Sequence, residues 1–243
     1  MKVSIIGNGR FGNLLYKTLK KNKRFEVFVF SRRANPDGEK FISLEEAAKS
    51  DIIIPTVPIS FYKETANKIA PYINKDALIV DVASVKLYTT NALIQNLPTT
   101  VDILSTHPMF GPDSTNDGKD FSDLKFIYWK ERIHNERRTQ IFLEFWKQKG
   151  CELVELSPEE HDKQAAYTHA FAFMIGKMGI EMGVRKNYIT TKGLEGILYN
   201  QEAVENDTSE LFDDMMRYNP FAKDMLQDAK NALDLIIKNV SYD

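Results

Sequence analysis

The chain is nearly devoid of cysteine: Cys151 is the single thiol in 243 residues. One thiol excludes an internal disulfide framework and fits a reducing compartment. The run Cys151-Glu152-Leu153-Val154 reads as a strand, so the thiol is expected to be a small buried apolar group. Long apolar runs are missing as well. No stretch approaches the roughly 20 residues of a membrane span, and no membrane association is expected. Charge of one sign is missing too. With 32 Lys and Arg against 34 Asp and Glu, the net charge of −2 gives no electrostatic reason to expect nucleic acid as a partner. There is no internal repeat and no low-complexity segment, and no metal site is expected. Met1-Lys2-Val3-Ser4-Ile5-Ile6 already reads as a strand, leaving no room for a signal peptide, so a cytoplasmic location is expected.

What is present is an ordinary globular composition, 43% hydrophobic and 27% charged, long enough for one large domain or two modest ones. Residues 1–155 alternate between short apolar runs and helical patterns. Strands are expected at Val3–Ile6, Glu26–Phe30, Asp51–Ile54, Leu78–Asp81, Asp102–Ser105, Phe126–Trp129 and Glu152–Glu155. Helices are expected at Phe11–Lys21, Phe61–Ile73 and Glu136–Lys149. Such alternation implies an α/β fold with a mainly parallel, doubly wound sheet covered on both faces. The pattern changes at Ser157-Pro158-Glu159-Glu160, where Ser157 and Glu160 have capping-box spacing and Pro158 suits a first helical position. Residues 156–243 read as helical, with a final helix near Pro220–Asn239. So short a helical segment makes a poor core alone, and this half is expected to pack on a partner subunit as a homodimer. The basic run Lys17–Arg24 is read as a solvated helix end.

Directly after the first strand stands Gly7-Asn8-Gly9-Arg10-Phe11-Gly12. In a G-x-G-x-x-G turn the first glycine permits the reversal, the second admits a pyrophosphate to the backbone, and the third lets helix and strand pack closely. This makes residues 1–155 a Rossmann-type dinucleotide-binding domain. The second strand ends in Phe30-Ser31-Arg32-Arg33, about 20 residues past the glycines, where NAD enzymes carry Asp or Glu. A hydroxyl and two guanidiniums suit a 2′-phosphate instead, so NADP is favoured over NAD.

Two further segments fall at expected strand ends, Asp81-Val82-Ala83-Ser84-Val85-Lys86 and Ser105-Thr106-His107-Pro108-Met109-Phe110-Gly111-Pro112. Ligands of open α/β sheets bind beyond the carboxyl ends of the strands, which brings Ser84, Lys86 and His107 to one crevice. His107 can take a proton from an alcohol while hydride leaves the same carbon, with Ser84 orienting the alcohol or the imidazole. The alternative for His107 is a loop histidine that only caps its strand.

These two segments together resemble the arogenate/prephenate dehydrogenase family. The similarity continues through Glu160-His161-Asp162-Lys163-Gln164-Ala165-Ala166, Thr191-Lys192-Gly193, Glu205-Asn206 and Tyr218-Asn219, and so covers nearly the whole chain. It is greatest to the plant-type, NADP-using arogenate dehydrogenases. The resemblance implies a nucleotide-binding domain followed by an all-helical substrate and dimerisation domain. It implies hydride transfer from the ring carbon bearing the hydroxyl, with loss of the ring carboxylate as carbon dioxide. His107 would accept the hydroxyl proton and Ser84 would hydrogen-bond near that hydroxyl and the cofactor. Lys86 would contact substrate or form a structural ion pair. Thr56-Val57-Pro58 resembles the loop beside the cofactor, and His161-Asp162 is read as an anchor of its helix. A histidine that many relatives carry on that helix aligns with Phe173 in plant-type members; His169 lies one turn away and is a substrate-binding candidate. An arginine that holds the ring carboxylate in bacterial relatives aligns with Phe221, which leaves Arg217, one turn earlier, either to replace it or to be a surface residue. Asp113 and Asp117, in the loop after the catalytic histidine, are candidates to favour the ammonium of arogenate over the keto group of prephenate. The competing readings are another NADP oxidoreductase of similar layout, such as a β-hydroxyacid dehydrogenase or imine reductase, and a non-catalytic NADP-binding sensor.

Overall fold

A computed structural model describes residues 1–240. The chain divides into two compact units, the first running from Met1 to Pro158 and the second from Glu159 onward. The division falls three residues past the expected boundary at 155.

The first unit is built on a seven-stranded sheet: β1 Lys2–Ile6, β2 Glu26–Phe30, β3 Ile52–Pro55, β4 Leu78–Asp81, β5 Asp102–Pro108, β6 Lys125–Arg132 and β7 Glu152–Glu155. Their spatial order is β2-β1-β3-β4-β5-β6-β7. All neighbours pair in parallel except β5 and β6. The central strands are continuous apolar runs, Ile52-Ile53-Ile54 and Leu78-Ile79-Val80, buried because helices cover both faces. On one face α1 (Arg10–Leu19) buries Leu14, Leu15 and Leu19, and α5 (Glu136–Gln148) brings Trp146 into an aromatic cluster. Trp146 stacks on Phe126 with ring centroids 5.3 Å apart. On the other face Tyr62, Ala66 and Ile69 of α3 (Tyr62–Ile69) and Leu93 of α4 (Leu87–Asn96) cover Ile53, Ile79 and Ile103. A short helix α2 (Leu44–Ala48) opens on a capping box between Ser43 and Glu46.

Several elements shift by one or two residues from the expected bounds, β6 runs from Lys125 to Arg132 rather than Phe126–Trp129, and two further departures have a clear cause. β5 does not stop at Ser105 but continues through His107 and Pro108, because antiparallel β6 carries the ladder to His107↔Ile127 and Pro108↔Phe126. The helix expected over Phe61–Ile73 opens with a 3₁₀ turn, Ile59–Phe61, and its α-helical part ends at Ile69, just before Pro71.

The second unit is helical. α6 (Pro158–Ala165), with proline at its first position, continues through a π-helical turn at Ala166–Ala170 into α7 (Phe171–Glu181). α8 (Lys192–Asn206), α9 (Ser209–Tyr218) and α10 (Ala222–Val240) follow. α7 and α8 approach so closely that a Cβ on Gly176 would lie 2.6 Å from the Asn200 carbonyl oxygen. Among the described residues, every exposed large apolar side chain except Tyr72 belongs to this unit.

Candidate active site

The strand order reverses between β1 and β3, and the glycine turn leaves the end of β1 at that point. Gly7 has φ +128°, and a Cβ there would stand 2.6 Å from Thr56 Oγ1 and 2.7 Å from the Thr56 carbonyl oxygen. A Cβ on Gly12 would meet the Gly7 carbonyl oxygen at 2.5 Å. Thr56 binds the two strand ends together, its hydroxyl donating to the carbonyls of Ile6 at 3.3 Å and Gly7 at 3.2 Å. Gly9 differs: nothing lies within 4 Å of a Cβ built on it. The fold therefore has no use for glycine at this position, whereas a ligand approaching the backbone does. Gly9 caps α1 without a side-chain hydrogen bond, and the first turn holds no acid. The positive end of that helix is thus left for an anion. Asn8 and Arg10 beside it are exposed, and Phe11 is half-buried against the core.

At the end of β2 the Ser31 hydroxyl accepts from the Arg33 amide at 3.2 Å and closes the turn. Both arginines are exposed. The Arg32 guanidinium lies over the ring of Phe61, 5.7 Å from its centroid. Phe61 belongs to the 3₁₀ turn that follows Thr56-Val57-Pro58, so the loop after β3 carries a support for Arg32 that periodicity alone gives no hint of.

β4 and β5 are adjacent, with Asp81 opposite Ser105. Ser84 lies three residues past Asp81 and His107 two past Ser105, which places both at the same edge of the sheet. Ser84 Oγ is buried and has no hydrogen-bond partner among the described residues. His107 is buried within β5. Between the two strands is a charged core. Lys86 Nζ donates to Asp81 Oδ2 at 2.6 Å and to the Thr106 carbonyl at 2.5 Å. Thr89 Oγ1 also donates to Asp81 Oδ2 at 2.6 Å, and the Ala83 amide donates to Oδ1 at 2.9 Å. Of the two roles open to Lys86 the geometry is that of the ion pair: the side chain is buried and its ammonium points at Asp81 and Thr106. Thr89 and Thr106 were not among the expected site residues; a threonine one turn into a helix and another beside a histidine carry no distinctive pattern.

The loop after Pro112 lies along α1. Asp113 pairs with Arg10 at 2.7 Å and Asp117 with Lys17 at 3.1 Å, so both carboxylates expected to greet a substrate ammonium already have cationic partners. Asn116 and Asp117 adopt φ of 48° and 53°, a left-handed turn that Asn and Asp tolerate.

In the second unit His169 sits in the π-helical turn, its ring edge-on to Phe173 with centroids 4.7 Å apart. The two candidate positions on this helix thus share one spot. Burial, reinforced by His161, pushes the His169 pKa down to about 4, which keeps the imidazole neutral. His161 Nδ1 lies 2.8 Å from Asp162 Oδ1, and Asn219 Nδ2 donates to the Asp162 carbonyl at 2.9 Å, tying α6 to the end of α9. Arg217 is exposed in the last turn of α9, and Lys163 lies over the ring of Phe221, 5.6 Å from its centroid.

Residues 35–155 match the model of the prephenate dehydrogenase nucleotide-binding domain, and residues 178–242 match that of a TYRAAT1-like C-terminal domain. Arogenate dehydrogenase 2, chloroplastic, of Arabidopsis thaliana is 33% identical over 256 residues, an alignment covering 99% of this chain and 70% of that protein. The chain belongs to the arogenate/prephenate dehydrogenase family. Arogenate dehydrogenase 1, chloroplastic, of the same plant is 31% identical over 99% of this chain, which spans only 39% of that longer protein. Among solved structures, Synechocystis arogenate dehydrogenase superposes with a TM-score of 0.69 at 19% identity, covering 98% of this chain and 91% of that one. The A. aeolicus prephenate dehydrogenase, in complex with hydroxyphenyl propionate and NAD+, gives 0.73 at 17% identity over the same shares. At such identities the structural likeness is one of fold, a Rossmann-type sheet followed by helices.

Proposed function

We infer that this chain is an NADP-dependent dehydrogenase that oxidatively decarboxylates arogenate to tyrosine, or prephenate to 4-hydroxyphenylpyruvate. The observation that carries the reading is a buried, unsatisfied hydroxyl, Ser84, and a buried imidazole, His107, at neighbouring strand ends of the sheet whose β1–β3 crevice holds the glycine turn. The open space above Gly9 and the uncapped start of α1 fit a pyrophosphate.

A nicotinamide dinucleotide supplies the hydride acceptor when bound. Gly7, Asn8, Gly9, Arg10, Phe11 and Gly12 form its phosphate cradle, Thr56-Val57-Pro58 borders it, and Arg32 and Arg33 select the 2′-phosphate. His107 takes the proton of the ring hydroxyl as the C–H bond of the same carbon breaks. Ser84 Oγ, at once donor and acceptor, orients that hydroxyl. Loss of the ring carboxylate as carbon dioxide then leaves its electron pair in an aromatic ring. Arg217 is assigned to that carboxylate, since a guanidinium can pair with it in bidentate fashion. A neutral His169 can donate one hydrogen bond to substrate. Asp113 and Asp117 support arogenate as the first substrate to try, although each would have to share its charge between Arg10 or Lys17 and the ammonium.

The exposed apolar side chains of the helical unit support a homodimer formed through it. No helix among the described residues is long and apolar enough to cross a membrane. The location proposed is cytoplasmic; the two plant relatives are chloroplastic by name, and cell fractionation decides for this chain.

The deciding experiment is NADP+ reduction by the purified protein with arogenate and prephenate side by side. Turnover is expected with at least one. His107→Ala should lower kcat by a factor of about 10² or more with NADP+ affinity retained. A protein that binds NADPH yet turns over neither substrate would sink the reading.

A further inference from the structure

Asp81 is fully buried at the end of β4, and Lys86 is 2% exposed. An ammonium and a carboxylate withdrawn together from water recover their desolvation only when the geometry is close, and a well-packed apolar pair would hold a sheet at least as firmly. Stability therefore does not account for a charged pair here. Its bonding pattern does. Asp81 Oδ1 takes the Ala83 amide and Oδ2 takes Lys86, so one carboxylate grips the turn on both sides of Ser84. Lys86 then crosses to the Thr106 carbonyl, and Thr106 Oγ1 returns a bond to the Asp81 carbonyl at 2.6 Å. Thr106 is the residue immediately before His107. Every link of this closed circuit ends one or two residues from a group that the proposed reaction uses, and no link uses Ser84 or His107 itself.

We propose that the Lys86–Asp81 ion pair is a positioning clamp that holds the Ser84 turn in register with the His107 strand, so that hydroxyl and imidazole meet one substrate oxygen together. The clamp rests on the proposed roles of Ser84 and His107. Lys86 acts through them and contacts neither substrate nor cofactor. A displacement of about 1 Å between reacting groups can cost about 10²-fold in rate, so a rigid tie between two strand ends is worth a buried charge.

Lys86→Met alone strands a buried carboxylate and risks unfolding, so the decisive variant is the double change Asp81→Asn with Lys86→Met. It should melt within a few degrees of the parent and bind NADPH, followed by cofactor fluorescence, within about twofold. Amide hydrogen exchange should quicken in peptides covering residues 82–87 and 105–108 but not in β1 or β3. In the same assays kcat should fall by about 10²-fold while the substrate KM moves little. Parent-like kcat in a folded double variant, or unchanged exchange at both segments, overturns the clamp. A raised substrate KM with kcat retained would make Lys86 a substrate ligand and overturn it too. A parent protein with no turnover, or His107→Ala with full kcat, would instead defeat the catalytic reading, and exchange at the two segments would still decide whether the pair clamps them.

Discussion

Glycines of one motif can do unlike jobs, and Gly7, Gly9 and Gly12 here do. Alanine at Gly7 or Gly12 drives a methyl into the backbone of Thr56 or of Gly7, so either change should lower the melting temperature by several degrees, in line with roughly 1–3 kcal/mol of strain. Alanine at Gly9 meets no protein atom. Gly9→Ala should melt like the parent yet bind NADPH at least tenfold more weakly, and equal binding would show that no ligand backbone approach occurs there. The spacing of the motif already assigns the three glycines different roles; the structure adds what crowds Gly7 and Gly12, Thr56 at the end of the neighbouring strand. His169 allows a second test. Its pKa is near 4 when folded and near 6.5 when unfolded, so the unfolded chain binds the extra proton as pH falls through that window. The resulting stability is present above pH 6.5 and is lost progressively toward pH 4, by about 1–3 kcal/mol. Thermal melts from pH 7 to pH 5 should show this loss in the parent and a smaller one in His169→Gln; parallel curves would remove His169 as the cause.

At the level of elements, the strands were readable because a central parallel strand is one unbroken apolar run. β2, β4 and β7 fall where expected. β5 ran three residues longer than its own pattern suggested, since its end is set by an antiparallel partner whose direction no local periodicity encodes. The π-helical turn around His169 was equally hidden, because a single such turn spans only Ala166–Ala170, too short a stretch to set a period of its own. The turn after β3 carries Phe61 beneath Arg32, so the proposed reading of the 2′-phosphate draws on two loops. Arg32→Ala with Arg33→Ala should raise the KM for NADP+ at least tenfold and leave that for NAD+ within about twofold, as a lost charge-assisted phosphate contact would. Equal losses for both cofactors would mean that these arginines do not read the 2′-phosphate.

For the whole molecule, the change of pattern at Ser157-Pro158 lies beside the division between Pro158 and Glu159, and the expectation that the helical part needs a partner subunit stands as a proposal. The sequence did not show which faces are left bare. Leu233, Ile236, Ile237 and Val240 recur along one side of α10 and all are exposed. Light scattering should give twice the chain mass of 27.9 kDa. Glutamate at Leu233 and Ile236 together should shift the protein to monomer without unfolding the nucleotide-binding unit. A parent that is monomeric at micromolar concentration would refute the homodimer.

Cys151, in the core between α5 and β7, has its thiol pushed up to about 11 by burial. At pH 7 about one molecule in ten thousand then carries a thiolate, so maleimide labelling of the native protein should be slow, as mass spectrometry would check. Any cysteine engineered into an exposed loop becomes the one reactive handle on a chemically quiet background. A fluorophore or spin label could be attached beside the Arg10–Asp113 bridge without removing a native residue elsewhere.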